Sequence, residues 1–241
     1  KKLFLTLSLS ILFIPFGISQ DLPSYVPTNG LVAYYPFNGN ANDESGNGNH
    51  GTVNGATLTS DRDGNENSSY NFDGVDDYIF LGKNSDFPIS NSFSISIFFL
   101  IQDVNCKNDT NDSCDNIIYN NEGLFELGIN KINSKLKFSI NNSEPDWGWI
   151  DIEFDYDFEK WIHLIFNYDD GLIKIFINNS NVYSYNGVGD IINDIHQDLD
   201  EFRLGNRQLG DVSNGNHFFT GKIDDFGIWN RALTEQEIQD V

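Results

Sequence analysis

Basic residues are scarce in this chain, which has 14 lysines and arginines against 36 aspartates and glutamates and a formal net charge of −22 at pH 7. The phosphate backbone of a nucleic acid would repel so acidic a chain, which argues against nucleic acid as a partner. The acidic residues are scattered among asparagines and glycines and do not form one run. They indicate a solvated surface or, for some of them, oxygen ligands for a hard cation.

Long hydrophobic runs are also rare, and the chain has one, over residues 3–16, which follows two lysines and precedes small residues up to Ser19. About fourteen apolar residues are fewer than the roughly twenty that span a membrane. The pattern predicts a secretory signal peptide over residues 1–19. The protein is therefore expected to be secreted or held at the cell surface, with a linker over residues 20–29, one domain over residues 30–241 and no membrane span.

Cysteine is almost absent, since Cys106 and Cys114 are the two in the chain. In an exported protein, two cysteines eight residues apart favour a disulfide bond that closes a small loop. A zinc site is the less favoured alternative, because no histidine accompanies the two thiols. The disulfide would restrain a polar insertion and implies no chemistry.

Helical periodicity is missing from most of the chain. Apolar residues such as Phe93, Ile95 and Ile97 recur at every second position, and turn dipeptides of the Asn-Gly and Asp-Gly type separate the alternating segments. A capping box that opens at Thr234 predicts one helix up to Val241. The alternation predicts strands near 31–37, 69–73, 77–82, 92–102, 116–120, 123–130, 134–141, 160–168, 171–178, 181–185, 200–205 and 218–229.

So many short strands without intervening helices must bury one face each by stacking two sheets. The predicted fold class is therefore all-β, a two-sheet antiparallel jelly-roll sandwich with a short C-terminal helix. In a jelly roll the first and last strands are commonly antiparallel neighbours. The loop after Phe37 is then expected to reach the closing strand.

Three blocks of sequence carry a resemblance to a known family: GLVAYYPFNGNANDESGNGNHGTVNGATLTSDRDGN, SYNFDGVDDYIFLG and GKIDDFGIWNRALTEQEI. Together they resemble the laminin-G-like jelly-roll family of the concanavalin A-like lectin and glucanase superfamily. The resemblance implies a secreted bacterial module for binding or adhesion, often one part of a larger surface protein. It also implies a structural calcium ion, which many members contain.

The resemblance and the alternation together select ligands for that calcium ion. On the closing strand, period two places Asp224 on the same side as Phe226, facing the core. A buried carboxylate there needs a cation, a positively charged side chain or several N–H donors. Carried over from the family, Asp43 and Asp224 are the expected ligands, with Asn38 and Asn40 beside them. The alternative is a loop closed by its own Asx-turn hydrogen bonds.

A second stretch, SDRDGNEN over residues 60–67, also resembles a calcium loop, because Asp61, Asp63 and Asn65 alternate around a glycine. It lacks the glutamate that an EF-hand needs at its twelfth position, where this chain has Phe72. A surface connection is therefore the favoured interpretation.

Catalytic motifs are missing. The β-glucanases of the superfamily carry two glutamates around an aspartate on one strand, and WIDIEF matches the last two acids with Asp151 and Glu153. Trp149 stands where the nucleophile belongs, although retaining hydrolysis needs two carboxyl groups about 5 Å apart. The histidines lie outside any serine-nucleophile motif. A noncatalytic domain is therefore predicted, with a glycoside hydrolase as the less favoured alternative.

Tryptophan supplies the candidate ligand contacts. Trp147 and Trp149 lie in DWGWID, where a loop or edge position would leave an indole accessible to a sugar ring. Either residue can equally belong to the core. Two functional classes follow from the sequence: a module that binds a glycan or an extracellular surface protein, and a structural or interaction domain of a larger surface protein without a small ligand.

Overall fold

A computed structural model of the protein describes residues 22–103, 115–121, 124–130, 133–141, 148–187, 200–207 and 217–241. The predicted signal peptide, the two cysteines of the predicted disulfide and Trp147 lie outside these residues. In the part of the chain that is described, no helix is long and apolar enough to cross a membrane.

The described residues form fifteen β-strands, a short 3₁₀-helix at Asn84–Asp86 and one α-helix, α1, at Glu235–Asp240. The strands are β1 Leu31–Tyr35, β2 Thr52–Asn54, β3 Thr57–Thr59, β4 Ser69–Asp73, β5 Tyr78–Lys83, β6 Ser92–Asp103, β7 Asp115–Asn121, β8 Phe125–Asn130, β9 Leu136–Ile140, β10 Ile150–Asp151, β11 Trp161–Asp169, β12 Leu172–Ile177, β13 Ser180–Asn186, β14 Glu201–Leu204 and β15 Thr220–Trp229.

The strands form two antiparallel sheets. The eight-stranded sheet has the order β13-β12-β11-β6-β15-β4-β3, with β1 also paired to β15, and the seven-stranded sheet has the order β10-β9-β8-β7-β14-β5-β2. The predicted all-β sandwich with a short C-terminal helix is confirmed. The expected pairing of the first strand with the last is confirmed as well, since β1 runs antiparallel to β15.

The main core lies between the sheets and is rich in aromatic rings. The ring of Phe125 on β8 lies 4.0 Å from that of Phe166 on β11, between centroids, so the two sheets are in direct contact. On β15, Ile223, Phe226 and Ile228 all belong to this core. The side chains that alternate with them on β15 therefore lie on the outer face of the eight-stranded sheet.

A second, smaller cluster covers part of that outer face. Trp229 and Tyr34 pack there against Leu233 and Ile238 of the C-terminal segment and against Val26. The Trp229 indole N–H donates to the backbone carbonyl of Pro27 at 2.7 Å. Residues 22–29, which the sequence assigns to a linker, thus pack onto the sheet together with α1.

A buried amide fixes the C-terminal segment to this outer face. The Asn167 side-chain N–H donates to the Leu233 carbonyl at 3.0 Å, and the Leu233 N–H donates to Asn167 Oδ1 at 2.9 Å. The Ser94 hydroxyl donates to the same Asn167 oxygen. The backbone groups of Leu233 are therefore satisfied inside the cluster by the side chains of β6 and β11.

Replacing Asn167 with alanine is expected to lower the free energy of unfolding by about 2 kcal/mol, because the buried Leu233 carbonyl loses its donor. Urea denaturation followed by circular dichroism measures the change. Gln239→Ala is the matched control, since Gln239 donates to the Asn179 carbonyl at 3.1 Å on the exposed side of the same segment. Equal losses in the two variants would contradict the role assigned to Asn167.

Candidate functional site

Asp224 lies on the outer face of the eight-stranded sheet, so the expectation that it shares the core side with Phe226 is wrong. The register pairs Asp224 with Phe98 but Phe226 with Ile97, which leaves Asp225 as an extra residue. Asp225 has a φ of 32°, the left-handed backbone that accommodates this bulge. A β-bulge interrupts period-two alternation, which is why the simple alternation fails at this position.

The Asp224 carboxylate is buried, with 2% of its side chain exposed, and its partner is a guanidinium group. Arg62 Nη1 lies 2.6 Å from Asp224 Oδ2, and Arg62 Nη2 lies 2.6 Å from Asp225 Oδ2. The Asp225 N–H also donates to Asp224 Oδ1 at 2.9 Å, and the Tyr34 hydroxyl donates to Asp225 Oδ1 at 2.8 Å. A positive side chain and an N–H donor thus compensate the buried charge.

Aromatic rings hold the guanidinium in place. Its central carbon lies 4.1 Å from the centroid of the Phe98 ring, within the range of a cation–π contact. On β11 the imidazole of His163 is stacked on the same Phe98, with ring centroids 4.0 Å apart. His163 Nε2 lies 2.8 Å from the Ser96 hydroxyl. We call Arg62, Asp224, Asp225, Phe98 and His163 the arginine cluster.

The arginine cluster shifts two titratable groups. The pKa of the Asp224 carboxyl is raised to about 7. Burial is the main cause, the negative charge of Asp225 acts in the same direction, and the Arg62 guanidinium acts against it. Burial, together with the nearby Arg62 charge, lowers the pKa of the His163 imidazole to about 4. The imidazole is therefore neutral at physiological pH.

A pocket of about 170 Å³ opens beside the cluster. Arg62 and Tyr25 line it, and so do the predicted calcium residues Asn38 and Asp224. The carboxylates on its wall belong to Glu44, Asp61, Asp63, Asp224 and Asp225. The loop after Phe37 thus reaches the closing strand, as jelly-roll topology predicts.

Asp43, the other main calcium candidate, lies inside its own loop. Its Oδ1 accepts the backbone N–H groups of Tyr34 at 3.0 Å and Ser45 at 2.9 Å, and its Oδ2 accepts that of Asn49 at 3.0 Å. Asn40 Oδ1 accepts the Asn42 N–H at 2.8 Å. These contacts are the Asx-type loop closure that the sequence leaves open as an alternative.

The two carboxylates predicted to bind calcium, Asp43 and Asp224, have other partners in this structure. The carboxylate of Asp43 is directed at three N–H groups, and Asp224 is directed at a guanidinium group. Calcium needs six to eight oxygens around one point. Among the described residues, one group of three acids does have its ligand atoms within 4.8 Å of one another, namely Asp73, Asp76 and Asp77.

Trp149 lies at the opposite face of the molecule, beside the edge of the seven-stranded sheet. It precedes β10, whose Asp151 pairs with Lys137 on β9. Lys137 Nζ lies 4.0 Å from the centroid of the indole ring. The indole is half-buried, so part of it is accessible.

Buried polar side chains follow Lys137 across this face. Glu126 on β8 is fully buried and forms an ion pair with Arg207, with Nε and Oε1 3.0 Å apart. Asn120 on β7 donates to the same Glu126 oxygen, and Ser139 on β9 is opposite Glu126 in the register. We call Asn120, Glu126, Lys137, Ser139 and Arg207 the polar row.

The two acids of WIDIEF are engaged in separate contacts. Asp151 Oδ2 accepts a hydrogen bond from the Asn133 amide at 2.6 Å. Glu153 is 78% exposed and forms an ion pair with Lys135. Trp149 stands at the position of the nucleophile in the glucanase pattern, so the structure supplies no third acid on this segment.

Sequence reasoning missed Arg62 and the polar row. The sequence pattern assigns Arg62 to a surface connection, yet Arg62 contacts residues 162 and 163 positions away along the chain. The sequence signal that could have identified Arg62 is the scarcity of arginine in so acidic a chain. The chain has four arginines, Arg62, Arg203, Arg207 and Arg231. All four form ion pairs with acids.

Comparisons with known proteins agree with the fold. A laminin-G family model, described as the concanavalin A-like lectin/glucanases superfamily, matches residues 73–239. Pappalysin-1 of Mus musculus is 34% identical over 90 residues, which cover 37% of this chain. The matched segment is 5% of the length of pappalysin-1, so the chain corresponds to a small part of that relative.

Solved structures with the same fold include binding domains. Domain 4 of AbnA, an extracellular GH43 arabinanase from Geobacillus stearothermophilus in complex with arabinotriose, is 21% identical, with a TM-score of 0.62 over 87% of this chain and 97% of that domain. The binding domain of Paraclostridial Mosquitocidal Protein 1 is 18% identical, with a TM-score of 0.67 over 88% of this chain and 51% of that one. Trypanosoma rangeli sialidase is 14% identical, with a TM-score of 0.62 over 89% of this chain and 33% of that enzyme. At these identities the likeness shows the fold alone.

Proposed function

Because the chain belongs to the laminin-G family of the concanavalin A-like lectin/glucanase superfamily, we propose that it is an exported, noncatalytic module that binds a glycan outside the cell. The observation that carries the proposal is the partly accessible indole of Trp149 beside the polar row. The N-terminal run of the sequence supports export. The isolated contacts of Asp151 and Glu153 support a function without hydrolysis.

Trp149 has the properties of a sugar-stacking residue. An indole ring offers an apolar face to sugar C–H groups and a single N–H donor to a hydroxyl. The ammonium group of Lys137, 4.0 Å from the ring centroid, holds the indole in one orientation through a cation–π contact. A ring that is already held in place loses little conformational freedom when a ligand binds.

In the polar row, Arg207 can donate to a sugar hydroxyl, because 18% of its side chain is exposed. The other members lie on the outer face of a sheet, yet Glu126, Lys137 and Ser139 are almost fully buried. Glu126 and Lys137 hold Arg207 and the indole from below. The Glu126–Arg207 ion pair fixes the orientation of both charged groups. Positive and negative groups that are already paired with each other, next to an aromatic ring, suit a neutral oligosaccharide better than a highly charged ligand.

The comparisons support a binding role without naming a ligand. The arabinanase domain that shares this fold was solved with arabinotriose, and the mosquitocidal protein domain is a binding domain. Both are parts of larger proteins by their descriptions. A role as one binding part of a larger exported protein is therefore included in the proposal.

Replacing Trp149 with alanine is expected to weaken glycan binding at least about tenfold, which corresponds to about 1.4 kcal/mol and is the scale of one lost aromatic contact. The measurement is a glycan array with the mature domain, followed by calorimetric titration of the best oligosaccharide into both proteins. The same oligosaccharide, incubated with the wild-type domain, is expected to remain intact.

Phe158→Ala is the matched control, because Phe158 is an aromatic residue that is 48% exposed. It is expected to keep the wild-type affinity. Wild-type affinity in the Trp149 variant would remove the indole from the proposed site. A folded wild-type domain that binds no glycan on the array would favour the alternative, a structural or interaction domain of a larger surface protein.

A further inference from the structure

We infer that the Arg62 guanidinium is a built-in counter-ion that takes the place of the calcium ion expected beside Asp224 and keeps divalent cations out of this site. The inference concerns the arginine cluster and does not depend on the glycan proposal. It follows from where the guanidinium lies, what holds it there and how much negative charge surrounds it.

The guanidinium occupies the position that a bridging metal ion would need. Its two terminal nitrogens each lie 2.6 Å from an oxygen of a different carboxylate, Asp224 on one side and Asp225 on the other. Calcium–oxygen distances are about 2.3 to 2.6 Å. An ion placed between the same two oxygens would therefore overlap the guanidinium, so Arg62 and a metal ion exclude each other.

The surroundings of Arg62 favour a guanidinium group over a metal ion at this position. Arg62 lies over the Phe98 ring, with 24% of its side chain exposed, and Phe98 is itself stacked on His163. A planar guanidinium can form two hydrogen bonds and stack on an aromatic ring at the same time, whereas a hydrated metal ion cannot. The loop over residues 60–67 thereby supplies a cation to the closing strand.

The negative charge that remains makes the site attractive to cations once Arg62 is removed. Asp61, Asp63 and Glu44 line the pocket beside Asp224 and Asp225. One guanidinium faces these five carboxylates, and the oxygens of Asn38 and Tyr34 lie at the same pocket. Without the guanidinium, the pocket offers the mixed carboxylate, amide and hydroxyl oxygens that calcium accepts.

The first test uses the wild-type domain. Calcium is not expected to bind at the arginine cluster, so this cluster should contribute no difference between the melting temperatures in EDTA and in millimolar calcium chloride. If calcium raises the melting temperature and Asp76→Asn abolishes the rise, the ion binds at the three acids near β4, and the inference stands. If Asp225→Asn abolishes it instead, calcium binds beside Arg62, and the inference is overturned.

The second test removes the guanidinium. Arg62→Met is expected to melt lower than the wild type in EDTA and to gain about 5 °C or more in calcium, the scale of a ligand present well above its dissociation constant. The double variant Arg62→Met/Asp225→Asn is expected to lose this gain. If Arg62→Met is unfolded in EDTA, recovery of its circular dichroism spectrum on adding calcium is the corresponding readout.

Arg203→Met is the matched control for the second test. Arg203 lies on the other sheet, forms an ion pair with Glu201 and lies 4.6 Å from the centroid of the Tyr78 ring, measured from its central carbon. It shares the ion pair and the cation–π contact of Arg62 without the surrounding acids. Its variant is expected to lose stability and to gain no calcium response. The inference would be overturned if calcium raised the melting temperature of Arg203→Met as much as that of Arg62→Met. It would also be overturned if calcium raised the melting temperature of neither variant.

Discussion

Asp43→Ala is expected to lower the free energy of unfolding by about 3 to 5 kcal/mol, because three backbone N–H groups lose a charged acceptor. One of these donors is the N–H of Tyr34 near the end of β1, and the other two belong to Ser45 and Asn49 in the loop that follows. The carboxylate thus joins the opening strand to its loop. Chemical denaturation with guanidinium chloride measures the loss.

The same loss is expected in EDTA and in calcium, since the Asp43 oxygens are directed at N–H groups. Asp61→Ala is the matched control, because Asp61 Oδ1 also accepts two backbone N–H groups, from Asp63 at 2.9 Å and Asn65 at 2.8 Å, but at the surface. Its loss is expected to stay below about 1 kcal/mol, since water can replace the carboxylate there. A loss in Asp43→Ala that appears only in calcium would show that Asp43 holds an ion.

The fold could be predicted from the sequence because its signals are local. Alternation along β6 and β11, and the capping box at Thr234, each depend on residues a few positions apart. The short strands β2, β3 and β10 have two or three residues each, too few for a period to be seen. They are strands because longer neighbours pair with them.

The candidate sites depend on contacts that no local pattern contains. The bulge at Asp225 moves Asp224 from the expected core side to the outer face, and a single extra residue suffices for this. Arg62 meets Asp224 only because β4 and β15 are neighbours in the sheet. The sequence does predict that a buried Asp224 needs a partner, and a positively charged side chain is one of the partners that it allows.

Acidification between pH 6.5 and about 4 is expected to remove the stabilising contribution of His163, whose pKa falls to about 4 in the fold. The unfolded chain takes up a proton near pH 6.5, and the folded chain does so only near pH 4. This contribution to stability is therefore complete above pH 6.5 and is lost as the pH falls towards 4. Its full size is about 3 kcal/mol.

The physical reason is the position of the imidazole. His163 is stacked on Phe98 and has its Nε2 2.8 Å from the Ser96 hydroxyl, a setting with little water to solvate a positive charge. The Arg62 guanidinium on the other side of the cluster repels a second cation. A positive charge on His163 would thus be buried beside a second cation, which is far more costly than a charged imidazole in water.

The comparison that isolates this effect is between the wild type and His163→Phe, which keeps the stacking on Phe98. Asp224 contributes with the opposite sign, because its pKa, raised to about 7, makes the fold gain stability as the pH falls from 7 towards 3.8. That contribution is present in both proteins and cancels in the difference. Urea denaturation at several pH values is expected to show that the free energy of unfolding of the wild type falls relative to that of His163→Phe as the pH falls from 6.5 to about 4.

Ser96→Ala is the control for the pH measurement, because it removes the hydroxyl but keeps the buried imidazole. It is expected to lower stability at every pH and to keep the wild-type change in stability between pH 6.5 and 4. Parallel pH profiles for the wild type and His163→Phe would mean that the imidazole is protonated in the fold as readily as in the unfolded chain. The dense packing of Phe98, Arg62 and His163 argues for the opposite, since a ring held between an aromatic face and a hydroxyl group has no room for the water that a charged imidazole requires.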